Sequence, residues 1–401
     1  MRAPQSDPND LQQVGWCIVW PPELDPAIYE ALRPLAELRR EQAGPYFRET
    51  NTRPGESAST FLARHGMGPG PVDPERMPYY VLIVGDPTQV SFEFQQRLDL
   101  QYAVGRLHFD ELEQYGRYAQ SVVAAELSGA PQARHLAVVA PRHDADAHTA
   151  ILSEMMSVLA GEALRDSDWR TTLRTGKEAT KAALVEMLTP TGAPAILLTA
   201  AHSLIMPAGS PQHAERGAIV CGDWTGPGTP LTPQDVFAGG DVTAGMNIHG
   251  LVAMLWGSNT AGGLDADSAA GDAGEHRAFV TRLAQQLLGN GSGGALAVVG
   301  LADRMLGSSL GHSAPTRQAL TLAIRGLARG HRVGHAMQSL DEAQAALSNE
   351  WSELVEQARS GAQLEPLGVG HLWSATMDLR RVVVLGDPAA RLPAAGTGPS
   401  Q

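Results

Sequence analysis

The sequence has little lysine, few aromatic residues and no long apolar run. Lysine occurs only at Lys177 and Lys181, and the formal net charge is -13 over 401 residues. Non-specific nucleic-acid binding requires a basic surface, so we expect no nucleic-acid partner. No stretch approaches the about 18 consecutive apolar residues of a membrane span, and the N-terminal segment has no apolar core of signal-peptide length. These absences predict a cytoplasmic protein without membrane contact.

Cysteine is also scarce, since only Cys17 and Cys221 are present. Two cysteines are too few for a disulfide framework, and neither lies in a spacing typical of zinc sites. Asp265, Asp267 and Asp272 form an acidic loop, but their spacing does not match a helix-loop-helix calcium site. We therefore expect two reduced thiols, no bound metal and no cofactor.

The order of apolar segments indicates an α/β protein. A hydrophobic fraction of 43% allows a sizeable core. Short apolar runs that end at Gly, Pro or Asp predict strands, and apolar residues at helical spacing predict helices. Strands are predicted at 14–20, 79–84, 102–107, 136–140, 195–200, 250–256, 295–299 and 381–385. Helices are predicted at 26–43, 110–127, 147–163, 177–188, 275–288, 315–328 and 334–359. Strands that alternate with helices favour a parallel, doubly wound sheet.

A Gly-Ala-Pro segment at 129–131 divides the chain into two parts. We expect an N-terminal α/β subdomain over 1–130 and a larger domain over 131–393. The length of 401 residues fits two domains or one large domain with two halves. The small polar tail at 394–401 is predicted to be disordered.

Residues that directly follow the strands of the second part are the candidates for chemistry, because open α/β sheets bind ligands at the carboxyl ends of their strands. His202 follows one strand, where it could act as a general base, although a lone histidine more often has a structural role. Ser258 follows the next strand and begins a turn of small residues. Backbone N–H groups of such a turn can hold an oxyanion, while the plainer alternative is a tight turn.

Five other residues are weaker candidates for the wall of a pocket. Asp303 and Arg304 follow a third strand and are more often simply solvated. Cys221, Asp223 and Trp224 lie in a predicted β-hairpin at 217–226. Cys221 is either a displaced nucleophile near the histidine or a small apolar residue inside a strand.

In combination, these segments resemble the gingipain and caspase-like cysteine peptidases, a group related to CHAT peptidases. Such proteins carry a histidine after one strand and a cysteine after the next, often as Ala-Cys-Asn-Thr-Ala. The sequence at 257–261 reads Gly-Ser-Asn-Thr-Ala. Three more segments resemble the same group: YYVLIVGDP at 79–87, DLQYAVGRL at 99–107 and VVVLGDPAARL at 382–392. The resemblance runs from about residue 14 to 393.

The resemblance implies a caspase-like, mostly parallel sheet flanked by helices, with an α/β companion subdomain. It also implies peptide-bond hydrolysis on a peptide or protein substrate, with His202 and residue 258 as the dyad. The oxyanion would lie near Gly257 and Ser258. Three positions depart from the pattern: Ser258 replaces the cysteine, Ser203 the usual glycine, and Gly257 a common alanine.

The cysteine-to-serine difference leaves the activity open. A thiol ionises with a pKa near ~8.5, whereas a hydroxyl is far less acidic and needs a well-placed base. Loss of such a nucleophile typically costs on the order of 10⁴-fold in rate. The chain is therefore a natural pseudo-peptidase, a Cys→Ser replacement of an active peptidase, or a serine hydrolase. A different class, a non-catalytic peptide- or protein-binding scaffold, fits the same residues.

Overall fold

The computed structural model describes residues 6–127, 133–189, 193–206, 213–263, 278–307 and 309–393. The strands are β1 (Trp16–Trp20), β2 (Phe47–Asn51), β3 (Tyr80–Val84), β4 (Ala103–Leu107), β5 (His135–Ala140), β6 (Arg170–Thr175), β7 (Ile196–Ala200), β8 (Ile219–Val220), β9 (Val236–Phe237), β10 (Val252–Trp256), β11 (Gly262–Gly263), β12 (Phe279–Val280), β13 (Ala297–Leu301) and β14 (Val382–Gly386). The helices are α1 (Leu11–Val14), α2 (Pro26–Ala43), α3 (Ala58–Arg64), α4 (Phe92–Asp99), α5 (Leu112–Leu127), α6 (Ala147–Glu162), α7 (Lys181–Met187), α8 (Arg282–Leu288), α9 (Ser309–His312), α10 (Ala314–Ala328), α11 (Val333–Arg359) and α12 (Pro366–Arg380). Of these helices, none is long and apolar enough to cross a membrane.

Among the described residues, ten strands form one sheet in the order β2-β1-β3-β4-β14-β13-β10-β7-β5-β6. Every neighbouring pair is parallel except β13 and β14, which are antiparallel. The sheet therefore consists of two groups of five parallel strands that run in opposite directions. The carboxyl ends of the two groups therefore lie at opposite edges of the sheet, where an edge is the line of strand ends and not the outermost strand. The fold is mixed α/β with a mostly parallel sheet between helices, as predicted.

The inner strands are buried on both faces, as their continuous apolar sequences predict. All residues of β1, β3, β4, β5, β7, β10 and β13 are buried. The edge strands β2 and β6 have the polar sequences FRETN and RTTLRT and are only partly buried. Neither edge strand was expected, because an apolar run does not mark a strand that faces solvent.

The sheet continues without a break from the N-terminal strands to the later ones, because β14 pairs with both β4 and β13. The predicted division into 1–130 and 131–393 stays a prediction. Its boundary at 129–131 lies outside the described residues, as do the predicted disordered tail at 394–401 and the acidic loop of Asp265, Asp267 and Asp272.

Several local expectations need correction. Asp110 does not begin a helix: α5 starts at Leu112, and the Asp110 backbone N–H donates to Gln285 Oε1 at 2.8 Å. No strand was predicted within 47–78, yet this segment contains β2 as well as α3. Helices α4 and α12 were not expected. The α12 sequence contains Pro366, at the helix start, and two glycines, which weaken its helical signal.

The predicted hairpin at 217–226 is also wrong in its pairing. Strand β8 pairs antiparallel with β9, which lies well beyond that segment in the sequence. Cys221 follows β8 directly, and its backbone N–H donates to Asp235 O at 2.7 Å. A long connection therefore separates β8 from its partner β9. Trp224 lies in this connection and not in a hairpin strand.

Charged side chains tie the sheet to a helix layer inside the core. Arg39 of α2 is fully buried and donates to Asp387 Oδ2 at 2.7 Å and to Glu126 Oε1 at 2.6 Å. Trp16 Nε1 donates to the other carboxylate oxygen of Asp387 at 2.9 Å. Buried charges need such partners, because an unpaired one would be strongly destabilising. Asp387, from the motif at 382–392, thus has a structural role.

Candidate functional site

The predicted site residues follow adjacent strands of the second parallel group. His202 comes two residues after the end of β7, and Ser258 two residues after the end of β10. Asp303 follows β13 at the same edge. Because β7, β10 and β13 are neighbours and run in one direction, the sheet brings these three residues to one end.

Asp146 also lies at this edge and contacts His202 directly. It is the N-cap of α6, and its Oδ1 accepts the backbone N–H groups of His148 and Thr149 at 3.0 and 3.3 Å. Its Oδ2 lies 2.5 Å from His202 Nε2. The residue before it, Ala145, has a φ of 59°, a left-handed conformation that is costly for a non-glycine residue. One carboxylate thus holds both the helix start and the imidazole.

The charge state of Asp146 fixes the tautomer of His202. Burial raises the pKa of the Asp146 carboxyl, but the hydrogen bond and charge of His202 and the two backbone N–H groups outweigh it. The net result is a pKa below the ordinary value. An ionised carboxylate only accepts hydrogen bonds, so His202 Nε2 carries the proton. In the neutral imidazole, Nδ1 is then a free base, which is the state that general-base chemistry needs.

Aromatic rings surround the His202 imidazole. The ring centroids of His143, His148 and Trp224 lie 6.2, 5.4 and 6.4 Å from it. His143 is buried, and its Nε2 lies 3.0 Å from Cys221 O. Burial, followed by the charge of His202, lowers the pKa of His148. The side chain of His202 remains 37% exposed, so its open face borders solvent.

The Ser258 hydroxyl is held by a backbone amide. Ser258 Oγ accepts the N–H of Met305 at 2.9 Å. Within the described ranges, no hydrogen bond joins this hydroxyl to His202. A serine nucleophile needs a base in hydrogen-bond contact to remove its proton. Within the described residues, His202 is therefore hydrogen-bonded to Asp146, and the Ser258 hydroxyl is hydrogen-bonded to the Met305 N–H.

Ser203 and Gly257 join the two loops of the site. Ser203 Oγ donates a hydrogen bond to Ser258 O. A Cβ atom on Gly257 would lie only 2.8 Å from Ala201 O and 3.7 Å from Ser203 Cβ. The first of these distances is too short for a real contact, so glycine is required at position 257. The loops after β7 and β10 are thus packed backbone to backbone.

The turn after Ser258 is fixed by several hydrogen bonds. Asn259 has a φ of 57°, a left-handed conformation that asparagine tolerates better than most residues. Its N–H donates to Asp303 O at 2.8 Å, and Thr260 Oγ1 donates to Leu255 O at 2.6 Å. In contrast, the backbone N–H groups of Ser203 and Ser258 have no hydrogen-bond partner among the described residues. These two donors could bind a carbonyl oxygen or an oxyanion.

The loop after β13 is fixed from the opposite side by α12 and the residue that follows it. Asp303 forms an ion pair with Arg381 at 2.9 Å. The fully buried carboxylate of Asp378 accepts the backbone N–H groups of Leu306 and Gly307 at 2.6 and 3.3 Å. These contacts position the neighbouring N–H group that reaches Ser258. Arg304, by contrast, is exposed.

The weaker pocket candidates have three different environments in the structure. Trp224 lies beside the imidazole, and its Nε1 donates to Thr229 O at 2.9 Å. Asp223 is exposed and accepts the Lys181 N–H at the start of α7, so its carboxylate serves a helix end. Cys221 is buried, and desolvation raises the pKa of its thiol to about 12. A thiol held in this way is not a nucleophile near neutral pH.

Sequence reasoning missed Asp146, Met305 and Asp378. Asp146 could have been found, because an aspartate directly before a predicted helix is a typical N-cap. Met305 contributes only a backbone N–H group, which no residue type reveals. Within the described parts of the chain, no group of three or more His, Cys, Asp or Glu side chains could hold a metal ion.

Comparisons with known proteins give similarity in fold only. No protein-family model matches the sequence, and no curated protein matches it. Among solved structures, the chain is similar to the complex of Porphyromonas gingivalis RgpB pro- and mature domains, with a TM-score of 0.53 and 12% identity over 94% of this chain and 80% of that one. A structure described as a protease has a TM-score of 0.56 and 12% identity, with 96% and 80% coverage. The fold is therefore gingipain-like, as the sequence resemblance implied.

Proposed function

We propose that the protein is a peptidase homologue that binds a peptide segment at His202 and Ser258 but does not hydrolyse it at an enzymatic rate. The peptide carbonyl would face residue 258, and the backbone N–H groups of Ser203 and Ser258 would bind its oxygen. The His202 imidazole would lie beside the scissile bond. The gingipain-like fold and the position of these residues at one edge of the sheet support this proposal.

One observation carries the claim of low activity. The Ser258 hydroxyl accepts a hydrogen bond from the Met305 N–H, and His202 is hydrogen-bonded to Asp146 instead of to Ser258. A thiol in the same place would ionise more easily and would need less help from a base. The arrangement thus suits a cysteine at position 258 better than the serine that the chain carries.

The alternative, a purely non-catalytic scaffold, uses the same residues. It would retain the peptide-binding surface, but it would have no need for a well-oriented imidazole. The 2.5 Å contact of Asp146 with His202 orients the imidazole as a catalytic histidine would be oriented, and this favours the peptidase homologue. For this reason we place the peptidase homologue first.

A Ser258→Cys variant tests whether the site can activate a cysteine nucleophile at position 258. We would treat it with a peptidyl acyloxymethyl ketone and measure the intact mass. In the expected reaction, the thiolate introduced at position 258 attacks the methylene next to the ketone, a thioether forms and the carboxylate leaves. We expect one adduct per chain, on residue 258.

Two control variants distinguish a reaction assisted by His202 from simple thiol reactivity. A Ser258→Cys/His202→Ala variant should react at least about 10²-fold more slowly, since removal of a general base costs about 10²–10⁴-fold. A Ser258→Ala variant should not react. A folded Ser258→Cys variant without any adduct, or with an adduct that forms equally fast without His202, would refute the peptidase-homologue proposal.

A further inference from the structure

The first group of parallel strands has its own topological switch point, at the sheet edge opposite to His202. Its strand order is β2-β1-β3-β4-β14. The connection from β1 through α2 leads to β2 on one side, and the connection from β2 through α3 leads to β3 on the other side. Right-handed crossovers therefore place α2 and α3 on opposite faces. In open parallel sheets, ligands bind outside the carboxyl ends of the strands at such a reversal.

A groove of about 780 Å³ lies beside this point, between α3 and α4 and next to the residues that follow β2 and β3. Thr52 and Arg53, which directly follow β2, line one wall, and the loop of residues 88–91 after β3 lines another. Leu62 of α3 and Phe94 of α4, which are 7% and 4% exposed, contribute small apolar areas to its floor. Sites for small molecules typically have about 300–1,000 Å³ and combine apolar walls with a few polar groups.

The wall formed by the β3 loop is preformed. Arg106 is fully buried beneath it and donates to the carbonyl oxygens of Gly85, Val90 and Ser91 at 3.0, 2.6 and 3.0 Å. At the start of the loop, Asp86 Oδ1 accepts the Thr88 N–H at 2.6 Å. The loop therefore keeps one shape without a bound ligand, which lowers the entropic cost of binding.

The charges at the groove favour an anion. Within the described residues, the Arg53 guanidinium has no hydrogen bond or ion pair, and Arg97 has only a 3.4 Å contact with the exposed Glu93. Exposed pairs of this kind contribute little. Two carboxylates, Glu56 and Glu93, also line the groove. Glu56 is 2% exposed and paired with Arg64, and Glu93 is 64% exposed to solvent. Two guanidinium groups thus remain for a ligand, and their planar forks match carboxylate and phosphate oxygens.

We propose that this groove is a second binding site, which takes a small molecule with one phosphate or carboxylate group on a flat, largely apolar body. Arg53 and Arg97 bind the anionic group, and the body lies against Leu62 and Phe94. The site is separate from His202 and Ser258 and does not depend on any activity there.

Calorimetric titration of the whole chain with two pairs of probes tests the proposal. AMP and indole-3-acetate carry the two candidate anions, and adenosine and indole-3-acetamide are their neutral counterparts. We expect at least one anionic probe to bind with one site per chain, and at least 10-fold more tightly than its neutral counterpart. The arm that binds distinguishes a phosphate ligand from a carboxylate ligand.

Variants locate the binding. Arg53→Ala/Arg97→Ala should weaken binding of the anionic probe at least 10-fold. Ala63→Trp, on the exposed side of α3 at the groove, should block binding by filling the space. Arg33→Ala, an exposed arginine on α2, is the matched control and should bind like the unaltered chain. Failure of both anionic probes to bind, or undiminished binding by the double variant, would overturn the proposal.

Discussion

The Asp146 carboxylate holds His202 and the start of α6 at the same time. One oxygen lies 2.5 Å from His202 Nε2, and the other accepts two backbone N–H groups in the first turn of the helix. The orientation of the imidazole is therefore coupled to the position of α6. A change at residue 146 should affect both the site and the helix, and the two effects can be separated by the choice of substitution.

Asp146→Asn separates them, because asparagine is also a good N-cap. It keeps an oxygen for the helix but removes the charge that holds the His202 tautomer. In the Ser258→Cys background, we expect the rate of labelling by the acyloxymethyl ketone to fall at least about 10-fold, because replacing the carboxylate that orients the histidine of a Ser-His-Asp triad costs about 10⁴-fold. Time-resolved intact mass measures this rate. A rate equal to that of Ser258→Cys alone would show that Asp146 only caps the helix.

The stability difference between the unaltered chain and Asp146→Asn should depend on pH. The hydrogen bond of His202 and the helix N–H groups lower the folded-state pKa of Asp146. A lowered pKa gives a contribution that is present above the unfolded value of about 3.9 and is lost as the pH falls through the folded value. We expect the difference in free energy of unfolding to shrink as the pH falls below about 4. Urea unfolding of both chains from pH 3 to 5 measures it, and a difference that grows as the pH falls below 4 would contradict the assignment.

Gly257→Ala should destabilise the protein, even though alanine is common at this position in the gingipain and caspase-like group. The added Cβ would lie 2.8 Å from Ala201 O, which is backbone and cannot rotate away. We expect a loss of about 1–3 kcal/mol in the free energy of unfolding. The control is Gly161→Ala in α6, where a Cβ meets nothing within 4 Å; this substitution should stabilise the protein by about 0.5–1 kcal/mol. Equal stability of Gly257→Ala and the unaltered chain would mean that the loops after β7 and β10 are less tightly packed.

Neither native cysteine should react with a thiol reagent while the chain is folded. Burial raises the pKa of Cys221 to about 12 and raises that of Cys17 as well. Titration with a thiol-specific chromogenic disulfide at pH 8 should detect no thiol before unfolding and two thiols after it. The Ser258→Cys variant should add one reactive thiol in the folded state. Rapid modification of Cys221 in the unaltered chain would support its interpretation as a displaced nucleophile.

The buried part of the fold could be predicted because its strands are continuous apolar runs. The sequences of β7 and β10 contain almost no polar residue, and both were expected close to their observed bounds. The edge strands β2 and β6 were not predicted, since polar side chains at 47–51 and 170–175 face solvent. The reversal of direction between β13 and β14 was also not predicted, because a strand sequence does not encode the direction of its neighbour.

The site was only partly predictable from the sequence. His202 and Ser258 follow apolar runs, so their place at the sheet edge could be read from the chain. The Met305 N–H depends on a loop shape that the distant carboxylate of Asp378 fixes. In two of the segments that resemble the peptidase group, the charged residues have structural roles. Arg106 and Asp387 lie buried in the core and hold loops and helices together. Similarity of motif thus reflected the fold as much as the chemistry.

We propose that Ser258 occupies a nucleophile position without being activated. The most direct test is intact-mass analysis of the unaltered chain after treatment with a fluorophosphonate, which forms a phosphonate ester with activated serine hydroxyls and releases fluoride. We expect no adduct under conditions that label a serine hydrolase completely. An adduct on Ser258 that disappears in His202→Ala would contradict it and would make the protein a serine hydrolase.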